Sequence, residues 1–175
     1  MIKVLPKKFF ERSSVVVARD LIGKYLVGKI NSKEIALMIT EVEAYGGIDD
    51  LASHARFGKT KRNEVMFGKA GVFYVYLIYG MYWMLNVICG RQGEPSAVLI
   101  RGIEGINGPG KVAKKFEVDN FLNKKKANKK SGLWFEDGDI VVRKDAVIVS
   151  KRIGVGYAGE WADKPWRFSF EAKKM

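Results

Sequence analysis

The clearest alternation of apolar and polar positions lies between residues 25 and 45. Tyr25–Ile30 and Ile35–Tyr45 read as a strand pair joined at Asn31-Ser32-Lys33. Side chains two apart on a strand share a face. This spacing therefore puts Glu41, Glu43 and Tyr45 in one row, with Ile35, Leu37 and Ile39 preceding them on the same face. Upstream, Ser13 or Ser14 is placed to cap a helix running to about Leu21, and Gly23 to end it. Downstream, short helices are expected over Ile48–Ser53 and Lys61–Phe67.

Residues 71–90 carry no charge, which is long enough for a membrane-spanning helix. Four tyrosines, Asn86 and the mid-point Gly80 argue against that, and the Val, Ile, Phe and Tyr content favours strands. The segment is read as two buried strands joined at Tyr79-Gly80-Met81, which pairs Ile78 with Tyr82 and Tyr76 with Met84. Ala97–Ile103 is a further strand with Arg101 inside an apolar run, and Gly108-Pro109-Gly110-Lys111 opens a helix to Phe116. Asn123–Lys130 reads as a solvated basic loop. Ile140–Arg143 and Ala146–Ser150 read as short strands around Lys144-Asp145, and Trp166–Phe170 as the last strand. This mixture without regular alternation predicts an α+β fold. No repeat or linker divides the 175 residues, so one domain is expected over 1–175.

Composition adds a partner. Thirty-one Lys and Arg against nineteen Asp and Glu give a formal charge of +12. Such an excess suits nucleic acid or an acidic membrane surface, although a lysine-rich proteome produces the same number. The N-terminus has lysines but no long apolar run after them, unlike a secretory signal. A single cysteine, Cys89, forms no internal disulfide and fits a reducing compartment. One histidine, His54, and no ligand cluster at metal spacing leave no zinc site to expect.

Carboxylates that continue a buried strand row are costly unless paired or facing a wet pocket. One of Glu41 and Glu43 is thus a candidate general base, while an ordinary ion pair is the simpler account of that segment alone. Tyr74 and Tyr76 share a face, and Asn86 lies diagonally across the ladder from Tyr76. Together they would make an aromatic wall with an amide beside it, although strand tyrosines usually just pack. An aromatic at the exposed turn, Tyr79, is shaped like a wedge for a base stack. Gly108-Pro109-Gly110-Lys111 is a plausible phosphate site, without the pattern of a P-loop.

In order and spacing, several segments together resemble the alkyladenine (3-methyladenine) DNA glycosylase family. They are Glu41-Val42-Glu43-Ala44-Tyr45, Ala52-Ser53-His54-Ala55-Arg56, Lys61-Arg62-Asn63, Tyr74 to Tyr82 with Asn86, Leu99-Ile100-Arg101, Gly108 to Lys111, Arg152 to Trp161, and Lys164 to Phe168. The resemblance implies a single α+β domain with a curved antiparallel sheet surrounded by short helices. It implies a monofunctional, monomeric enzyme that needs no metal or organic cofactor. The partner would be duplex DNA carrying damaged purines, with no membrane involved, in the cytoplasm and nucleoid of a prokaryote or otherwise in a nucleus.

By the same resemblance, Glu43 is the general base and Arg101 helps hold the attacking water. Tyr45, His54 and Tyr76 sandwich the flipped base, and Asn86 disfavours the amino group of guanine. Tyr79 intercalates, with Met81 and Tyr82 beside it in the minor groove. Apart from the resemblance, basic residues such as Arg62, Lys111 and the Lys124–Lys130 run are expected to bind phosphates. The region after Lys111 is shorter and richer in lysine than is usual in the family, and the loop after His54 is a residue shorter than in some members. A glycosylase with added lyase activity, a non-enzymatic basic RNA- or DNA-binding module and a membrane protein are the alternatives.

Overall fold

A computed structural model describes residues 3–171. The chain forms β1 (Lys3–Val4), α1 (Lys7–Phe10), α2 (Ser14–Leu21), β2 (Tyr25–Ile30) and β3 (Lys33–Gly46). There follow β4 (Phe73–Ile78), β5 (Tyr82–Ile88), β6 (Ser96–Ile103), β7 (Ile106–Asn107) and α3 (Pro109–Lys115). The series closes with β8 (Leu133–Asp137), β9 (Ile148–Ser150) and β10 (Arg167–Ser169). The strands build one open antiparallel sheet in the order β1-β8-β2-β3-β6-β5-β4, with β10 bridging β3 and β9, and β7 on β6. This is the expected α+β class.

Local rules account for the frame. The Ser13 hydroxyl accepts from the Val16 N–H and caps α2. Positive φ at both Asn31 and Ser32 makes the tight turn between β2 and β3. Helices α2 and α3 supply Val17, Ala18, Leu21, Val112 and Ala113 to one continuous core. Val75, Leu85, Val87, Val98, Ile100, Val42 and Ala44 meet them from one face of the sheet. By strand alternation the opposite face of β3 to β6 presents Glu43, Tyr45, Tyr74, Tyr76, Met84, Asn86, Leu99 and Arg101.

The long strand β3 corrects the single-row expectation. Ile39 pairs with Ile103, Glu41 with Gly102, and Val42 with Ile100. Thr40 is thus an extra residue on β3 and Arg101 an extra residue on β6, two bulges that offset each other in register. Each reverses the facing of its strand. Leu37 and Ile39 pack in the core, yet so do Val42 and Ala44, whereas Glu43 and Tyr45 lie on the other side. Gly102 permits this, because a Cβ there would sit 2.9 Å from the Glu41 Cβ.

Other expectations change too. Ile48–Ser53 is a series of turns, not a helix. The Asp50 carboxylate accepts from the N–H groups of Gly46 and Ala52, competing with helical bonds. Only Glu64–Phe67 of the second expected helix winds, as one 3-10 turn. Asn63 binds the Thr60 N–H and donates to the His54 and Gly58 carbonyls, which shapes the loop before it. Ile140–Arg143 is irregular, since both edges of β8 are already taken by β1 and β2. The strand expected over Ala146–Ser150 shortens to β9, preceded by a 3-10 turn at Lys144–Ala146.

Strand β8 itself escaped the pattern reading, although Trp134 and Phe135 are wholly buried. The lysine-rich segment is more than a solvated loop. Lys124 N–H donates to the Phe73 carbonyl, Phe73 N–H to the Lys125 carbonyl, and Val75 N–H to the Asn123 side chain, so the segment lines the outer edge of β4. Among the described residues no helix is long and apolar enough to cross a membrane. The uncharged run is the hairpin β4–β5, in the register that its turn predicted.

Candidate active site

The pocket face of the sheet opens into a cavity of about 300 Å³. That is the small end of ligand pockets, which span roughly 300–1,000 Å³, and suits one heterocycle. Strand β3 contributes Glu43 and Tyr45, β4 contributes Tyr74 and Tyr76, β5 Met84 and Asn86, and β6 Leu99 and Arg101. His54 enters from the turn series, and Ile153, Gly154 and Tyr157 close the far side.

Glu43 is 0% exposed, and both of its carboxylate oxygens accept a hydrogen bond. Its Oε1 accepts from the Ile153 N–H at 2.7 Å and its Oε2 from the Tyr45 hydroxyl at 2.7 Å. Arg101 Nε lies 3.5 Å from Glu43 Oε1 and 3.2 Å from Glu41 Oε1. Glu41 also accepts from Arg167 at 3.1 Å, so it shares two guanidinium groups and steadies the one beside Glu43. Burial pushes the Glu43 pKa above the ordinary carboxylate value, against the lowering pull of Arg101, the Ile153 N–H and the Tyr45 hydroxyl. An ionised carboxylate has about four acceptor positions, so two remain for a water.

The aromatic wall is assembled as the hairpin register predicts. Tyr76 and Tyr74 lie 5.1 Å apart between ring centroids, and the His54 ring meets Tyr76 at 4.5 Å. His54 Nδ1 is 2.9 Å from the Tyr74 hydroxyl. Burial, with Arg62 and Arg56 adding repulsion, lowers the His54 pKa to about 4, so the imidazole is neutral at pH 7. Burial likewise lifts Tyr74 to about 12 and raises Tyr76 and Tyr45, keeping all three phenols protonated. The Asn86 amide nitrogen donates to the Tyr74 and Met84 carbonyls, which fixes the side chain at the cavity wall.

At the mouth stands the β4–β5 turn. Tyr79 and Gly80 both take positive φ, 52° and 68°, the backbone of a tight hairpin turn that only glycine adopts freely. Tyr79 is 86% exposed, Met81 65% and Tyr82 49%. The Tyr82 ring rests against Gly110 at the start of α3, where a Cβ would come within 3.0 Å. Arg62 and Lys111 are exposed near this side, and the Arg62 guanidinium lies 5.9 Å from the Tyr76 ring.

Sequence reasoning gave no role to Arg152 or Asp50. They form a wholly buried two-pronged pair, Nη1 to Oδ2 at 2.6 Å and Nη2 to Oδ1 at 2.8 Å. The available signal was the Arg152-Ile153-Gly154 segment together with an acid in the turns before His54. Their separation of 102 residues leaves no periodic trace.

An open antiparallel sheet with its helices on one face and a carboxylate in an aromatic-walled cavity on the other defines a single-domain α+β protein with an aromatic-walled candidate active site. The chain belongs to the methylpurine-DNA glycosylase family, whose model matches residues 8–107 and 104–174. Among its relatives are proteins of Legionella pneumophila (strain Lens), 46% identical, Methanocella arvoryzae, 43%, and Anaeromyxobacter sp. (strain Fw109-5), 42%. The alignments cover 94%, 94% and 95% of this chain and 92%, 91% and 89% of those proteins. All three are named, provisionally, as 3-methyladenine DNA glycosylases.

Proposed function

We propose that this protein acts as a monomer on duplex DNA, in the nucleoid of a prokaryotic cell like those of its relatives. It turns a damaged purine out of the stack into the cavity and hydrolyses its bond to deoxyribose. The observation that carries this reading is the buried Glu43 carboxylate, aimed into a one-heterocycle cavity whose mouth bears an unsupported tyrosine.

A base inside a duplex is out of reach, and extruding it costs a few kcal/mol, less for a damaged base. Stacking on an aromatic returns about 1–3 kcal/mol, and Tyr45, His54 and Tyr76 supply the rings. Tyr79 fills the vacated place, with Met81 and Tyr82 in the minor groove. Arg62 and Lys111 contact phosphates, and the +12 charge draws the duplex in. The 2-amino group of guanine would meet the backbone-fixed amide of Asn86.

In the chemical step Glu43 takes a proton from a water that Arg101 helps hold. The water oxygen bonds C1′ as the C1′–N bond breaks, and the base leaves with the electron pair. A cationic purine departs neutral. A neutral one needs a proton, which His54 does not carry at pH 7. The raised pKa of Glu43 brings its basicity closer to the working pH. A cationic base gains little from cation–π attraction, because guanidinium groups already lie 4.8 Å from the Tyr45 ring and 5.9 Å from Tyr76.

The test is release of free base from duplexes carrying 3-methyladenine, 7-methylguanine, hypoxanthine or ethenoadenine, with Glu43→Gln as control. Release that Glu43→Gln abolishes supports the reading, and single-turnover rates equal in parent and variant would falsify it.

A further inference from the structure

Three elements that meet at Glu43 share one buried anchor. All four Nη hydrogens of Arg152 have acceptors: two go to Asp50, one to the Ala44 carbonyl at 2.9 Å on β3, and one to the Trp161 carbonyl at 3.0 Å. The guanidinium plane is therefore fixed, although its Nε finds no partner among the described residues. Its Cζ lies 4.8 Å from the centroid of the Tyr45 ring and 5.0 Å from that of Trp166. The next residue along the chain, Ile153, gives its N–H to Glu43. Asp50, in turn, holds the Gly46 and Ala52 amides at the two ends of the turn leading to His54.

We propose that Arg152, locked by Asp50, is the positioning residue of this site: it sets the Tyr45 ring in its stacking plane and holds the Ile153 N–H on the Glu43 carboxylate. The proposal rests on Glu43 being the base, as read above. It explains why a buried ion pair, which rarely adds stability over apolar packing, sits beside the cavity. Removing the fork releases a loop whose own side chains are largely exposed, Ile153 among them at 50%. The groups left facing Glu43 would then be Arg101 from β6, Glu41 and the Tyr45 hydroxyl from β3, and the Tyr76 phenol from β4. With one donor to its charged form gone, the Glu43 carboxyl must hold its proton to higher pH.

The experiment follows the Glu43 carboxyl carbon by NMR across pH, assigned by its disappearance in Glu43→Gln, in the parent and in Arg152→Lys, Asp50→Glu and Ile153→Pro. Arg152→Lys and Asp50→Glu keep both charges but lose the fork, whereas Ile153→Pro leaves both charged side chains in place and deletes the amide hydrogen. The Glu43 midpoint is expected to rise by about one pH unit in each, and the acid limb of the single-turnover rate to move with it. A folded Arg152→Lys or Asp50→Glu with an unmoved midpoint overturns the proposal, even where Ile153→Pro shifts. Should both charge-keeping variants fail to fold, hydrogen exchange in the parent decides: the Ile153 amide must exchange as slowly as that of Ala44, and fast exchange overturns the proposal. Midpoints that shift in a protein releasing no base would uphold this positioning and sink the enzymatic reading instead.

Discussion

The floor of the cavity and its rim are built on opposite terms. Glu43 is wholly buried, and four neighbouring groups, Ile153, Tyr45, Arg101 and Glu41, act on it. Tyr79, on the hairpin tip, is 86% exposed, and its side chain hydrogen-bonds to none of the described residues. On the proposed function, the protein fixes geometry in advance where bonds are made and broken, because misplaced charge costs rate. On that reading, too, it leaves an aromatic ring unsatisfied where DNA must be entered, so that the ring gains most when a base stack surrounds it. One end of the sheet would then be organised before the substrate arrives, and the other completed by it.

The sharpest way to break this contrast is Glu43→Gln, which should lower the single-turnover rate of base release by about 10³-fold and leave affinity for lesion DNA largely intact. A loss of binding to match the loss of rate would mean that the floor also serves recognition. Next in size, Tyr79→Ala should weaken binding to lesion duplex about tenfold, read by titration at fixed salt. At saturating protein its rate of bond cleavage should stay within a few-fold of the parent, and a collapse of that rate would erase the distinction between rim and floor.

A smaller effect concerns stability. The folded-state pKa of Glu43 lies above its unfolded value of 4.5, so the native state binds more protons than the unfolded one between the two values. Its contribution is full below pH 4.5 and is lost as pH rises through the folded pKa. Glu43→Gln, which cannot ionise, should therefore melt a few degrees above the parent at pH 8, with the gap closing toward pH 4.5. His54 runs the other way: with its folded pKa near 4, its contribution is full above pH 6.5 and fades as pH falls through 4. Melting the pair of proteins side by side cancels that second effect. The least expected change is at the periphery, where Arg62→Ala or Lys111→Ala should each flatten the salt dependence of log affinity by about 0.9. An unchanged slope would remove that residue from the phosphate contacts.

Much of this was legible in the chain because it is local. Two strands separated by Tyr79-Gly80-Met81 fix their own register, and with it the common face of Tyr74, Tyr76 and Asn86. The grouping of Glu43 with Tyr45 needed only strand alternation. The facing of the whole of β3 was misread because alternation is blind to an inserted residue. Thr40 and Arg101 bulge together, and the one local trace is Gly102, where a side chain would strike Glu41. The Arg152–Asp50 pair and the Ile153 N–H on Glu43 were out of reach for another reason. They join positions more than a hundred residues apart, and one partner is a backbone group that every residue possesses. Strand β8 was missed because Leu133, Trp134 and Phe135 are consecutive apolar residues without alternation, as befits a strand whose successive side chains are buried on both faces.

The lysine-rich stretch along β4 has a consequence beyond charge. An open sheet ends in a row of bare amides and carbonyls, which is a template for another chain to add a strand and begin an aggregate. Here the Asn123 side chain and the backbone of residues 124–126 occupy that row, while Lys124, Lys125 and Lys126 are exposed to solvent. The segment thus works as a selvedge, finishing the cloth at the β4 margin, where it would otherwise unravel into its neighbours.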